Sequence, residues 1–233
     1  MTDRSHDQLR PVTLELGFTE STPGSVLIAM GRTRVLCTAS VETEVPRWMS
    51  ESGKGWVTAE YAMLPGSSRE RVRRDHISGG RAKEISRLIG RALRAAIDMK
   101  ALGEMMIRVD CDVIEADGGT RTAAITGAWV AIHQALSDMV ERGLLERNPI
   151  IDEVAAVSVG IVDGETWLDL DYAKDVAADV DLNVVMTGRG LLVEVQGTAE
   201  KAPFTRADLD ALLDLAQTGI AELHDLQRRA VTD

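Results

Sequence analysis

The chain has 233 residues and lacks any apolar run close to the ~20 residues that a membrane-spanning helix needs. Its first residues, MTDRSHDQLRPV, contain no apolar signal core. Both absences predict a cytoplasmic protein that does not contact membranes. Aromatic residues make up only 3% of the chain, so we expect a core built mostly from Ala, Val, Leu and Ile.

Residue patterns typical of zinc sites are also missing. The sequence contains no CxxC or HExxH motif, and its four histidines are scattered. Cys37 and Cys111 each lie in an apolar, strand-like run, which is typical of reduced thiols in a core. A structural zinc site or a sequence-local histidine site is therefore not expected.

Charge is distributed very unevenly along the chain. The net charge of −11 argues against a general nucleic-acid-binding protein. Residues 69–94, however, hold nine Lys or Arg and three Asp or Glu, so this segment carries +6 and the remainder carries −17. A basic segment on an acidic body indicates a local site for a polyanion.

The order of the patterns predicts an α+β fold. Short β-branched runs fill the first third, and two long amphipathic helices follow, from about Arg81 to Asp98 and from Gly118 onward. A second set of strands ends in a hairpin at Thr187–Gly190, and a last helix begins with a capping box between Thr205 and Asp208. We expect mixed sheets with packed helices rather than a doubly wound parallel sheet, and a single domain over residues 1–233.

The stretch GGTRT at Gly118–Thr122 lies between a strand and a helix. Glycines let backbone approach an anion closely, and a helix N-terminus offers free N–H groups and a positive dipole end. The stretch therefore suggests a phosphate-binding turn with Arg121 as its clamp. The alternative is an ordinary helix start, with Thr120 or Thr122 as the cap and Arg121 in solvent.

Five aspartates crowd into the stretch DLDYAKDVAADVD. We expect Asp169 and Asp171 to share one face of a strand, Asp175 to lie in a connection, and Asp181 to begin the next strand. Clustered carboxylates need a cation or a proton between them, and Mg²⁺ suits such oxygen-rich sites. The alternative is a solvated acidic loop. An anion site, a basic segment and an acidic cluster together favour phosphoryl transfer on a phosphate-rich polymer.

The motifs resemble those of the ribonuclease PH family, in order and over nearly the whole chain. They include DQLRPVTLELGF, GSVLIAMGRTRVLCTASVE, GGRAKEISRLIGRALRAAIDMKALGE, ADGGTRTA and VEVQGTAE, of which the last two are the most specific. The resemblance implies two similar β-rich halves and a ring, usually a hexamer built as a trimer of dimers. It also implies attack of inorganic phosphate on the 3′-terminal phosphodiester of tRNA precursors, which releases a nucleoside diphosphate.

The resemblance further assigns roles to residues. It implies phosphate binding by Arg81, Gly119, Thr120 and Arg121. It implies that Asp175 and Asp181 are catalytic and hold Mg²⁺, with Asp181 either a metal ligand or the acid that protonates the departing 3′ oxygen. The loop arginines that would grip tRNA are Arg69, Arg71, Arg73 and Arg74.

Two departures from the family pattern stand out. The loop between Pro65 and Arg81 is a few residues short, and Lys174-Asp175-Val176 replaces the usual Glu-Asp-Ser. Three rival functions stay open: an inactive RNA-binding subunit of an exosome-like ring, a hydrolytic nuclease that uses only the carboxylates, and a domain that binds a small phosphate. The first is expected to lose Arg121 or Asp181, and this chain keeps both.

Overall fold

The structure, a computed structural model, describes residues 4–74, 79–201 and 203–232. Its α+β architecture, with two sheets and packed helices, confirms the predicted fold class. The strands are β1 (Val12–Leu16), β2 (Gly24–Met30), β3 (Thr33–Glu42), β4 (Trp56–Met63), β5 (Met106–Glu115), β6 (Val154–Val162), β7 (Glu165–Leu168), β8 (Val180–Thr187) and β9 (Leu192–Ala199). The helices are α1 (Gly80–Arg94), α2 (Met99–Leu102), α3 (Thr120–Glu141), α4 (Tyr172–Ala177) and α5 (Arg206–Thr232).

The first sheet has the strand order β1-β2-β3-β5-β4 and is mixed. Its pairs are antiparallel except for β4 and β5, which run parallel. Alternation of buried and half-buried residues along β3 reflects a sheet with one face on the core. Cys37 on β3 lies opposite Cys111 on β5, and both are free and buried, as predicted.

The second sheet is antiparallel, with the order β7-β6-β8-β9. The predicted hairpin at Thr187–Gly190 joins β8 to β9, and Gly190 adopts a φ of +76° that suits glycine. The capping box also forms: the backbone N–H of Thr205 donates to Asp208 Oδ2 at 2.8 Å, and the N–H of Asp208 donates back to Thr205 Oγ1 at 3.2 Å.

Helix α3 lies between the two sheets and is buried along most of its length. It packs against β2 and β3 on one side and against β6 on the other. Small residues allow this close packing: a Cβ added at Gly24 would lie 2.0 Å from the carbonyl oxygen of Ala131. One continuous cluster of buried side chains extends from β2 through α3 to β8 and α5.

Two local predictions were wrong. The helix expected to reach Asp98 ends at Arg94, because Asp98 instead caps α2 by accepting from the N–H groups of Lys100 and Ala101. The strand expected to include Asp169 and Asp171 ends at Leu168. Among the described residues, no helix is both long and apolar enough to cross a membrane.

Candidate active site

The centre of the site is the turn between β5 and α3. Gly118 and Gly119 have φ values of +77° and +66°, and a Cβ on Gly118 would lie 2.5 Å from the carbonyl oxygen of Leu170. Both the backbone angle and the space therefore require glycine here. The chain enters α3 directly from this turn, with Arg121 in the first helical turn.

Neither threonine of the turn caps the helix. Gly119, at the N-cap, offers no side chain, Thr122 Oγ1 donates to the carbonyl oxygen of Gly119 at 2.9 Å, and Thr120 Oγ1 pairs with the Tyr61 hydroxyl at 2.7 Å. This arrangement differs from an ordinary capped helix start. It leaves the N–H groups of the first turn without a side-chain acceptor from these residues, and such groups are suited to an anion.

A buried polar network holds the turn from behind. Arg10 donates to the carbonyl oxygen of Asp117 at 2.6 Å and forms an ion pair with Asp169 at 2.7 Å. Thr33 Oγ1 donates to the carbonyl oxygen of Gly118 at 2.6 Å and accepts from the N–H of Asp117 at 2.9 Å. The sequence analysis missed Arg10 and Thr33, since each lies far along the chain from the turn.

Arg121 reaches from the turn toward both halves of the molecule. Its Nη1 donates to Gln196 Oε1 on β9 at 2.9 Å and lies 3.4 Å from Glu84 Oε1 on α1. Gln196 in turn donates from Nε2 to the same Glu84 oxygen at 3.1 Å. Gln196 and Glu84 hold the Arg121 guanidinium in place and leave 17% of its side chain exposed.

Arg81, in the first turn of α1, is exposed and belongs to the same electrostatic site. Arg81 and Arg121 both act on the carboxyl groups of Asp175 and Asp181, lowering the pKa of each against the larger opposing effect of burial. The structure thus brings together the two arginines and the two aspartates that the sequence analysis singled out.

Asp181 is the most strongly perturbed of these groups. Burial, and then the nearby carboxylate of Asp175, raise its pKa to about 6. Its Oδ1 is buried and has no hydrogen-bond partner among the described residues. The pKa of Asp175 is also raised, because protein atoms crowd its carboxyl group even though the residue lies at the surface.

The other three aspartates of the acidic stretch have separate, structural contacts. Asp169 is fully buried against Arg10, Asp171 caps α4 and pairs with Lys174 at 3.2 Å, and Asp179 pairs with Lys201 at 2.8 Å. The expectation that Asp169 and Asp171 share a strand face was wrong, because Asp169 takes a φ of +55° to meet Arg10.

The basic loop begins beside the turn. The N–H of Ala116, at the end of β5, donates to the carbonyl oxygen of Ser67 at 2.7 Å, and the N–H of Val72 donates to the carbonyl oxygen of Pro65 at 3.0 Å. The four loop arginines, Arg69, Arg71, Arg73 and Arg74, are exposed. Residues 75–78 of the basic segment lie outside the described residues.

Asp175 and Asp181 have the donor chemistry of a magnesium site. In the part of the chain that the structure describes, no group of three or more His, Cys, Asp or Glu side chains is arranged for a metal ion. Mg²⁺ is commonly bound through only one or two carboxylates, with water and substrate oxygens as the other ligands. The unpartnered Asp181 Oδ1 beside Asp175 fits that mode.

A glycine turn at a helix N-terminus beside two arginines and two carboxyl groups is typical of phosphoryl-transfer proteins, and comparison with known proteins identifies the family. Residues 8–137 match the model of the 3′ exoribonuclease family, domain 1, and residues 152–219 match domain 2 of that family. The chain belongs to the 3′ exoribonuclease family.

Two curated relatives narrow this assignment. Ribonuclease PH of Corynebacterium efficiens is 56% identical over 231 residues, which cover 98% of this chain and 94% of the relative. Ribonuclease PH of Corynebacterium glutamicum shows the same identity and coverage. These relatives confirm the family indicated by the sequence motifs, and with it a phosphorolytic 3′-exoribonuclease activity.

Solved structures agree with the fold. Rice Rrp46 superposes with a TM-score of 0.79 at 18% identity, covering 98% of each chain. A chain of the Archaeoglobus fulgidus exosome with RNA bound to the active site gives 0.81 at 20% identity, covering 95% of this chain and 90% of the other. An archaeal exosome core chain gives 0.77 at 19% identity, covering 97% and 89%. At such identities the likeness establishes the fold alone.

Proposed function

We propose that the chain shortens the 3′ ends of tRNA precursors one nucleotide at a time, with inorganic phosphate as the nucleophile and nucleoside diphosphates as products. This proposal is carried by one observation. Arg81, and Arg121 at the start of α3, lie close enough to the carboxyl groups of Asp175 and Asp181 for their charges to act on both. Phosphorolysis needs both a bound phosphate and a way to stabilise the departing oxygen, and this arrangement offers a group for each.

Inorganic phosphate would bind at Gly119, Thr120, Arg121 and Arg81. Backbone N–H groups at the start of α3 and two guanidinium groups suit its charge and its oxygen geometry. Thr120 is held by Tyr61, and Arg121 by Gln196 and Glu84, so the site is largely organised before phosphate arrives. Such preorganisation fixes the nucleophile in line with the scissile bond.

The chemical step is one displacement at phosphorus. A phosphate oxygen forms a bond to the 3′-terminal phosphorus, and the bond from that phosphorus to the 3′ oxygen of the preceding nucleotide breaks. Asp181 can supply the proton that this oxygen takes up, because its pKa of about 6 leaves a protonated fraction near neutral pH. The products are a nucleoside diphosphate and an RNA with a free 3′ hydroxyl.

Mg²⁺, when bound, would be held by Asp175 and Asp181 and would neutralise charge that develops on the transferred group. The two tasks of Asp181 belong to different protonation states, because a proton donor must be neutral and a metal ligand ionised. The dependence of the rate on pH at several Mg²⁺ concentrations therefore separates the two tasks.

The part of the RNA upstream of its 3′ end would be bound by the loop arginines Arg69, Arg71, Arg73 and Arg74. A homo-oligomeric ring, most simply a hexamer, would repeat these contacts around a pore. Support for assembly comes from β9, an edge strand with exposed Leu192 and Val195, next to exposed Leu191.

We further propose that residues 1–233 form a single domain, which the continuous core supports, and that the enzyme is cytoplasmic.

The test is to incubate the purified protein with a 3′-extended RNA and Mg²⁺, with and without inorganic phosphate, and to identify the released mononucleotides. Diphosphates that form only with phosphate are the expected result. Monophosphates formed without phosphate would overturn the proposal in favour of hydrolysis. Absence of both from a folded protein would favour the inactive ring subunit, a reading now weakened by the presence of Arg121 and Asp181.

A further inference from the structure

The chain contains only two tyrosines, and both border the phosphate-binding turn. Tyr61 is buried, and its hydroxyl pairs with Thr120 Oγ1 at 2.7 Å. Tyr172 lies on the other side, where its backbone N–H donates to the carbonyl oxygen of Asp117 at 3.1 Å. A Cβ added at Gly118 would stand only 2.8 Å from the Tyr172 nitrogen. The Tyr61 hydroxyl is thus held by Thr120, whereas the side chain of Tyr172 is exposed.

The backbone of Tyr172 is fixed while its side chain faces solvent. The residue is 54% exposed. Lys174, two positions along α4, packs over the ring of Trp167 at 4.5 Å and pairs with Asp171, so this part of α4 is tied to the protein. The tyrosine ring is therefore presented at the surface from a well-anchored helix.

Tyr172 stands next to the reacting groups. It lies one helical turn before Asp175, and residues three apart share a helix face. Val176, the neighbour four positions on, is 66% exposed and extends the apolar surface. An apolar, aromatic surface thus adjoins a carboxylate on one side and the turn that binds phosphate on the other.

We propose that the ring of Tyr172 stacks against the base of the 3′-terminal nucleotide of the RNA and so positions the scissile phosphodiester; this inference rests on the proposed function. The arginines and N–H groups of the site are suited to phosphate, and the base is the uncharged, flat part of the substrate that they leave unbound. Every base has a π face, so stacking accepts all four bases. An enzyme that removes successive nucleotides of any sequence needs that tolerance.

The first test compares Tyr172→Ala and Tyr172→Phe in phosphorolysis of a short single-stranded RNA. Stacking of one base on an aromatic ring predicts about a 5- to 160-fold loss of kcat/KM for RNA in the alanine variant. The phenylalanine variant should stay close to wild type, and KM for inorganic phosphate should not change in either. Equal kcat/KM in wild type and Tyr172→Ala would overturn the inference.

Phe18→Ala is the matched control, because Phe18 is another exposed aromatic residue, at 43% exposure. The N–H of the next residue, Thr19, donates to Ser25 Oγ, and the N–H of Ser25 donates to Gln134 Oε1. Gln134 lies about 20 Å along α3 from Thr120, so Phe18 is remote from the site. This variant should keep wild-type kinetics and show that loss of an exposed ring alone has no effect on activity.

A second test removes the base instead of the ring. The RNA carries a last residue with hydrogen in place of its base, and wild type and Tyr172→Ala are compared on normal and modified RNA. If the ring stacks on the terminal base, the two proteins cleave the modified RNA equally well. If Tyr172→Ala lowers the rate on both RNAs by the same factor, the ring acts elsewhere and the inference is wrong.

Two controls separate the possible causes of failure. Wild type must first release diphosphates with phosphate; failure there would overturn the proposed function itself, whatever Tyr172 does. Light scattering of Tyr172→Ala should give the mass of wild type. A smaller particle would mean that Tyr172 contacts another subunit, and that result would also overturn the base-stacking role.

Discussion

Arg10 and Asp169 form a buried, two-pronged ion pair directly behind the glycine turn at Gly118–Gly119. Arg10 Nε donates to Asp169 Oδ2 at 2.8 Å and Nη2 donates to Oδ1 at 2.7 Å. The residues are separated by most of the chain, so the pair joins the N-terminal segment to the connection between β7 and α4. Arg10 also holds the carbonyl oxygen of Asp117, which links the ion pair to the position of Gly118 and Gly119.

Asp169→Asn should strongly destabilise the protein. The change leaves the Arg10 charge buried without its counter-ion, which typically costs about 3–5 kcal/mol. Urea unfolding at pH 7 measures the loss. Glu115→Gln is the control, since it breaks the exposed Arg32–Glu115 pair at 3.4 Å and should change stability by less than about 1 kcal/mol. Equal effects of the two changes would contradict the structural role given to Asp169.

Arg121→Ala should nearly abolish phosphate-dependent trimming and leave the fold intact. Loss of one charged group that stabilises a transition state commonly lowers the rate by about 10²–10³-fold. The measurement is kcat/KM for inorganic phosphate, with circular dichroism as the folding check. Arg142→Ala, an exposed arginine at the other end of α3, should behave as wild type. Undiminished activity of Arg121→Ala at saturating phosphate would remove Arg121 from the phosphate site.

Asp181→Asn should stop the chemistry and yet stabilise the fold at pH 7. The pKa of Asp181 is raised from 3.8 to about 6 in the folded protein, so the folded state binds more protons than the unfolded state between these values. The contribution of Asp181 to the free energy of unfolding is therefore greatest below about pH 4. It falls by roughly 1–3 kcal/mol as the pH rises through 6.

Urea unfolding of Asp181→Asn and wild type, from pH 4 to pH 8 with a chelator, checks this pH dependence. The difference should grow with pH and disappear near pH 4. Asp138→Asn, at a partly exposed position on α3, should show a difference below about 0.5 kcal/mol at every pH. A wild type more stable than Asp181→Asn at pH 8 would contradict the buried, crowded state of this carboxyl group.

Alanine at Arg73 and Arg74 should weaken binding of tRNA more than binding of inorganic phosphate. Each lost phosphate contact is expected to reduce the slope of log affinity against log salt by about 1. Fluorescence anisotropy across a salt series measures that slope. Alanine at the exposed Arg142 and Arg147 removes the same charge elsewhere and should leave the slope nearly unchanged. If both double variants reduced the slope equally, the effect would come from the net charge of the protein and not from the loop arginines.

Sequence patterns predicted the fold class, the hairpin at Thr187–Gly190 and the turn at Gly118–Gly119, because each depends on neighbouring residues. Glycine pairs, apolar periodicity and capping boxes all act over a few positions. The same local signals failed at Asp169, where strand alternation was overridden by an ion pair with a residue 159 positions away. No spacing rule reports such a long-range contact.

The candidate site was predictable only in part for a similar reason. The family resemblance picked out Arg81, Arg121, Asp175 and Asp181, and the structure brings them together. The partners that hold Arg121 in place, Gln196 and Glu84, were not predicted, since a glutamine on an edge strand carries no chemical signature of its own. Their importance appears only once β9 lies beside α1.

The bond between Arg121 and Gln196 has a consequence for synthesis on the ribosome. The glycine turn, Arg81 and Arg121 are translated well before β9, and Asp181 also precedes Gln196. A nascent chain that has not yet completed its last strand holds the turn but lacks the amide that orients the Arg121 guanidinium. The Arg121 guanidinium can therefore take its orientation against Gln196 only after the last strand of the second sheet has been made.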